Sequence, residues 1–198
     1  MLGSITPLGE RGRRSKWGVT MTALLTGSAG GGAAVGAVLG LVGEMLRRPW
    51  GTGSTRLWVL AGVIALGVAM DVRAAGMGLP TVHRQVNEDW LHRYRGWVYG
   101  VGFGFQLGIG VVTVVNVSAV YAAMAAALLA ASPAWGATIG AAFGLLRAGA
   151  AFSVAGVRRP DQLAAVDVQL RAWDEPSRRL AVGFEVALAG VCLMAAIL

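Results

Sequence analysis

The feature that most constrains this chain is its set of long, nearly uncharged apolar runs. They are Trp17–Leu46, Leu57–Met70 (extending to about Ala75), Gly96–Ala131, a run from Ser132 to about Val157, and Leu180–Leu198. A stretch of roughly 18 or more apolar residues is long enough to cross a bilayer as a helix. Charged residues make up 14% of the chain, against about a quarter in an ordinary soluble domain. They gather in short basic patches between the runs. The pattern predicts an all-α polytopic integral membrane protein, with residues 17–198 as one transmembrane domain and residues 1–16, including "RGRRSK", as a disordered basic tail. The net charge of +7 is mostly arginine at the ends of apolar runs. That placement fits positive-inside anchoring rather than nucleic acid as a partner. It predicts a bacterial plasma membrane location with the N-terminus cytoplasmic.

Two polar stretches between the runs have helical periodicity. Val82, Val86, Trp90 and Tyr94 recur every fourth residue, and Leu163, Val166, Leu170 and Trp173 follow three-and-four spacing. Each predicts a short amphipathic helix lying in the membrane interface or packed on the protein. The run Gly96–Ala131 is 36 residues, about 54 Å as helix against a hydrocarbon core of about 30 Å. Either two short crossings meet near Asn116–Ser118, or one span continues outside the membrane. "SPAW" (Ser132–Trp135) opens the next helix, with Ser132 as N-cap and Pro133 in the first turn.

Pro80, Trp90 and Arg93/Arg95 occupy the same places between two apolar helices as Pro160, Trp173 and Arg178/Arg179. This suggests a helix–interfacial helix–helix unit used twice, a 3+3 repeat of the kind found in transporters. Length and repeat together predict about six crossings. Five is the alternative favoured by charge: with the N-terminus inside, five crossings place Arg158, Arg159, Arg171 and Arg178 inside as well.

Glycine inside a helix costs about 1 kcal/mol relative to alanine in water. In lipid, apolar side chains gain little by meeting one another, so close backbone contact supplies much of the association and small residues line the interfaces. Three sets have the spacing of such a seam: Gly32, Gly36, Gly40; Gly100, Gly104, Gly108; and Gly136, Gly140, Gly144. "GVGFGF" does not match a phosphate-binding GxGxxG loop, and no strand precedes it.

Polar residues within apolar runs are the candidates for function: Asp71, Gln106, Asn116, Arg147 and Glu185. Asp71 can pair with Arg73. A buried Arg147–Glu185 pair would hold helices together or gate a solute. Glu44, near the end of the first run, is placed to snorkel to the interface. Glu88 and His92, four apart, sit on a polar face and read as solvated. No catalytic constellation, dinucleotide motif, cofactor site or metal site emerges, so the chain is not expected to be an enzyme. Cys192 is the one cysteine, which leaves no internal disulfide and no Cys-x-x-Cys pair.

In its small size, Gly- and Pro-rich spans and three-plus-three plan, the chain resembles the DsbD/CcdA family of membrane electron carriers in cytochrome c biogenesis. That family works through a pair of cysteines in its first and fourth spans. The corresponding runs here contain none, so the resemblance implies the fold and carries over no functional residue. Three functions are expected in order: a small-solute permease, a non-transporting scaffold or assembly subunit, and redox or metal handling. The partners expected are the lipid bilayer and a second copy or another membrane protein.

Overall fold

The computed structural model describes residues 6–12, 15–46, 53–72, 94–110 and 118–197, and among them there are helices and turns and no strand. Lipid favours this outcome, because a helix satisfies its backbone donors and acceptors within one segment. In chain order the helices are α1 (Pro7–Gly12), α2 (Trp17–Met45), α3 (Gly53–Asp71), α4 (Gly96–Ile109), α5 (Ala119–Leu129), α6 (Pro133–Gly149) with a 3-10 extension at Ala150–Val154, and α7 (Pro160–Ile197). Four stretches among the described residues are long and apolar enough to cross a membrane: α2, α3, α6 with its extension, and Glu175–Ile197 of α7.

The interior holds large apolar side chains such as Met21, Leu24, Tyr99 and Phe103, but α2 also lines it with small and polar residues. α2 buries Thr20, Ser28, Gly32, Gly36 and Gly40, while Val38, Trp58, Leu146 and Phe184 stand exposed on the outside of the bundle. Large apolar side chains turned outward, with small ones turned in along α2, match a solvent of acyl chains rather than water.

α2 is the central strut, and its glycines set what packs on it. A Cβ on Gly36 would stand 2.8 Å from the Gly136 carbonyl carbon and 3.2 Å from the Gly140 Cα. In return, a Cβ on Gly136 would stand 3.1 Å from the Gly40 Cα. Gly32 and Gly140 oppose each other in the same way, and a Cβ on either would stand 2.7 Å from the other's carbonyl carbon. The descending order of partners makes α6 antiparallel to α2. On another face, a Cβ on Gly104 or on Gly108 would stand 2.8 Å from the backbone nitrogen of Ser28 or of Gly32 respectively, and one on Gly27 would meet the Val101 backbone. Here the order ascends, so α4 is parallel to α2. Ser28 Oγ–H also donates to the Gly144 carbonyl at 2.7 Å, which ties α2 to α6.

The run Gly96–Ala131 divides into α4, of 14 residues, and α5, of 11. These are about 21 Å and 16 Å long, each short of the hydrocarbon thickness of about 30 Å. α4 packs on the first half of α2, and α5 on the second, where Gly43 faces the Leu128 carbonyl. Val120 at the start of α5 lies against Gly110 at the end of α4. The two helices therefore follow one another along α2, in the same direction, with a break between them.

α3 and α7 form a separate antiparallel pair. Ser54 Oγ–H donates to the Ala196 carbonyl at 2.6 Å, and at the other end Arg178 Nη1–H donates to the Asp71 carbonyl at 3.0 Å. The pair meets the rest of the bundle through α5, where the Ser118 side chain fills the space left by Gly67.

Several expectations are modified. The second amphipathic stretch and the last span are one continuous helix, with Pro176 inside it. Arg178 and Arg179 reach back to Glu175 at 2.6 and 3.0 Å across that proline. The other amphipathic stretch, together with Arg73, Glu88, His92 and most of the first copy of the suggested repeat, lies outside the described residues. Ser132 is the N-cap of α6 with Pro133 in the first turn, but its side chain makes no capping hydrogen bond. Glu44 is exposed at the end of α2. Within the expected tail, residues 6–12 carry α1, whose Glu10 is fully buried.

Candidate functional site

The break between α4 and α5 exposes two sets of backbone groups that a continuous helix would satisfy internally. At the α4 end, Gly110 has φ of +85°, a conformation in which a side chain is strained. Its carbonyl accepts a hydrogen bond from Arg147 Nη1 at 3.1 Å. The guanidinium also lies over the Phe143 ring, 5.9 Å from its centroid, a cation–π distance. At the α5 end, Ser118 is the N-cap. Its backbone N–H donates to both carboxylate oxygens of Asp71, at 3.0 Å each. A cation thus sits at the negative end of one half-helix and an acid at the positive end of the other, the favourable sense in each case.

A second carboxyl converges on the same serine. Ser118 Oγ lies 3.0 Å from Asp71 Oδ2 and 2.9 and 2.8 Å from Glu185 Oε1 and Oε2. Asp71, Ser118 and Glu185 are all buried, and Glu185 lies near the middle of the Glu175–Ile197 span. A serine hydroxyl has one proton and can donate to one carboxylate at a time. Hydrogen bonds from Oγ to both acids therefore require one further proton.

Beside the break is an apolar cavity of about 20 Å³, bounded by Gly108 and Ile109 of α4, Met124 and Ala127 of α5, and Phe143 of α6. That is room for about one water.

Three of the residues expected from the sequence thus meet at the break: Asp71 from α3, Arg147 from α6 and Glu185 from α7. The expected Arg147–Glu185 pair is replaced by two separate contacts. α7 packs with α3, so Glu185 finds Asp71 and Ser118, while Arg147 turns to the Gly110 carbonyl. Gln106 is half-buried on α4. Asn116 lies outside the described residues. The seams Gly32/Gly36/Gly40, Gly100/Gly104/Gly108 and Gly136/Gly140/Gly144 lie at the α2–α4 and α2–α6 contacts. Sequence reasoning passed over Ser118, because a serine in an apolar run is ordinarily a packing residue, and Glu10, because it stands in a basic segment. Among the described residues, no group of three or more His, Cys, Asp or Glu has the arrangement to hold a metal ion.

The chain is similar to a curated protein of methylamine utilization. It is 32% identical over 130 residues to methylamine utilization protein MauF of Methylorubrum extorquens. The match takes in 63% of this chain and 44% of MauF, so the chain spans less than half the length of that relative. No family model matches the chain, and no solved structure matches it.

Proposed function

We propose that this protein is a small-solute membrane permease whose working centre is the interrupted crossing α4–α5. The observation that carries the reading is the pair of half-helix ends, one held by Arg147 and the other by Asp71. Half-helix ends within a bundle are where transporters bind charged groups, and buried acids within spans are typical of proton relays. A solute bearing a carboxylate and an ammonium would pair them with Arg147 and Asp71, drawing these side chains from the Gly110 carbonyl and the Ser118 N–H. Proteoliposomes are therefore expected to show uptake of radiolabelled glycine, or proton movement read by a pH-sensitive dye. Arg147→Met and Asp71→Asn are expected to lower that flux at least about tenfold. Equal flux in both variants would remove the break from the account.

In this reading α4 and α5 make one crossing, which gives five in all. The N-terminus, the segment between α3 and α4 and the basic segment around Arg158, Arg159, Arg178 and Arg179 then share the cytoplasmic face, in line with the positive-inside rule. With Cys192 changed to serine, Arg11→Cys is expected to react with a membrane-impermeant maleimide from one face and Ile197→Cys from the other. Reaction of both from the same face would mean an even number of crossings.

A second reading is a non-transporting accessory subunit in amine utilisation. It is favoured by the likeness to MauF. Retention of one membrane or periplasmic partner through purification, with no flux of glycine or protons, would select it. The redox chemistry associated with the DsbD/CcdA plan needs two thiols, and this chain has Cys192 alone.

A further inference from the structure

The described contacts of Glu10 lie away from the break, with Thr20 and Tyr99. Glu10 lies on α1, a helix of six residues, yet it is fully buried, as are Thr20 and Thr6. Thr20 Oγ1–H of α2 donates to Glu10 Oε2 at 2.8 Å. The Tyr99 hydroxyl of α4 donates to Glu10 Oε1. Leu8 N–H of α1 donates to the carbonyl of Val157, just beyond the extension of α6, at 3.2 Å. α1 thus joins the starts of α2 and α4 to the end of α6. A helix of six residues has too little apolar surface to stay docked on its own, and a buried carboxylate is tolerated only while its hydrogen bonds are made.

We propose that α1 is a latch. It closes the end of the bundle over the buried cluster of Met21, Leu24, Tyr99, Phe103, Ala148 and Ala151, and the Thr20 and Tyr99 hydroxyl groups on Glu10 help to hold it there. That cluster lies between the closed end and Arg147, which neighbours Ala148 on α6. Detaching α1 uncovers the side of the bundle from which Arg147 reaches the break. Because Glu10 is tied to α2 and α4 at once, a shift of α4 relative to α2 separates Tyr99 from Thr20 and breaks the hold. The latch is therefore coupled to movement of the half-helix that ends at Gly110. The latch depends only on contacts at the α1 end, whether or not the protein is a permease.

The test is the maleimide reactivity of Thr6→Cys in a Cys192→Ser background, in full-length protein in detergent. Thr6 is buried at the start of α1, where its Oγ1 accepts from Gly9 N–H at 3.0 Å. In the latched protein it should react at least about tenfold more slowly than the exposed position Arg11→Cys. Tyr99→Phe should accelerate labelling at Thr6→Cys about tenfold, and Thr20→Val with Tyr99→Phe should accelerate it further. If Thr6→Cys already reacts as fast as Arg11→Cys in the parent, the latch does not exist. If Tyr99→Phe and the double variant both leave the rate unchanged while the protein elutes as a single folded species, these hydroxyl groups do not hold it. Tyr99→Phe is the conservative variant and remains informative should the double variant fail to fold. These readouts use no transport assay, so a failed flux measurement leaves them intact.

Discussion

Gly36→Leu is expected to abolish the folded bundle, lowering stability by about 3 kcal/mol or more. The reason is that the atoms in the way are backbone. A Cβ at this position already meets the Gly136 carbonyl group and the Gly140 Cα, and no rotamer change can move them. α2 and α6 would have to separate along their length, losing the Gly32–Gly140 contact and the Ser28–Gly144 hydrogen bond together. Gly36→Ala should cost about 1–3 kcal/mol for the same cause. Gly30 and Gly62 are the internal controls, since a Cβ at either meets nothing within 4 Å. Alanine there should be neutral, or stabilising by up to about 1 kcal/mol through helix propensity. Denaturation in detergent, followed by circular dichroism, distinguishes the two classes. If Gly36→Ala and Gly30→Ala unfold at the same midpoint, the interlock does not hold the bundle.

Ser118→Ala should be the most damaging single change outside the glycine seams, at about 2–4 kcal/mol. The hydroxyl stands between Asp71 and Glu185, and without it Glu185 loses the contacts at 2.8 and 2.9 Å and faces the other acid directly. Asp71 keeps the Ser118 backbone N–H. The damage should therefore fall on the attachment of α7, which meets α5 at this point. Glu185→Gln in the Ser118→Ala background should recover part of the loss, because an amide can donate to the Asp71 carboxylate. A double-mutant cycle over these positions should show coupling of at least about 1 kcal/mol. Strict additivity would mean that the serine does not join the two acids.

Why the break was only half legible in the sequence follows from the same residues. The length of Gly96–Ala131 exceeds one bilayer thickness, so an interruption near Asn116–Ser118, or a span continuing outside the membrane, was expected. Its form was not. Two short crossings and one interrupted crossing have the same composition, and they differ in whether α5 reverses direction against α2. That direction is set by where Gly43 meets Leu128 and where Gly110 meets Val120, contacts between residues far apart in the chain or across the break. Arg147 and Glu185 stood out because ionisable groups in apolar runs are costly in lipid. Their partners did not, since a backbone carbonyl and a serine leave no compositional mark.

The sequence by itself determined that this is an all-helical protein of the membrane, that its helices would approach by their glycine faces, and that a few ionisable groups would be held between them. Those properties follow from local quantities: run length, four-residue spacing and the cost of charge in lipid. Only the tertiary structure decided that α2 is the common strut, that α4 and α5 lie end to end along it, that Ser118 is shared by Asp71 and Glu185, and that α1 folds back on Glu10. Each of these depends on which faces meet across distant segments. A helix exposes several similar small-residue faces, and its own sequence does not say which partner each will take.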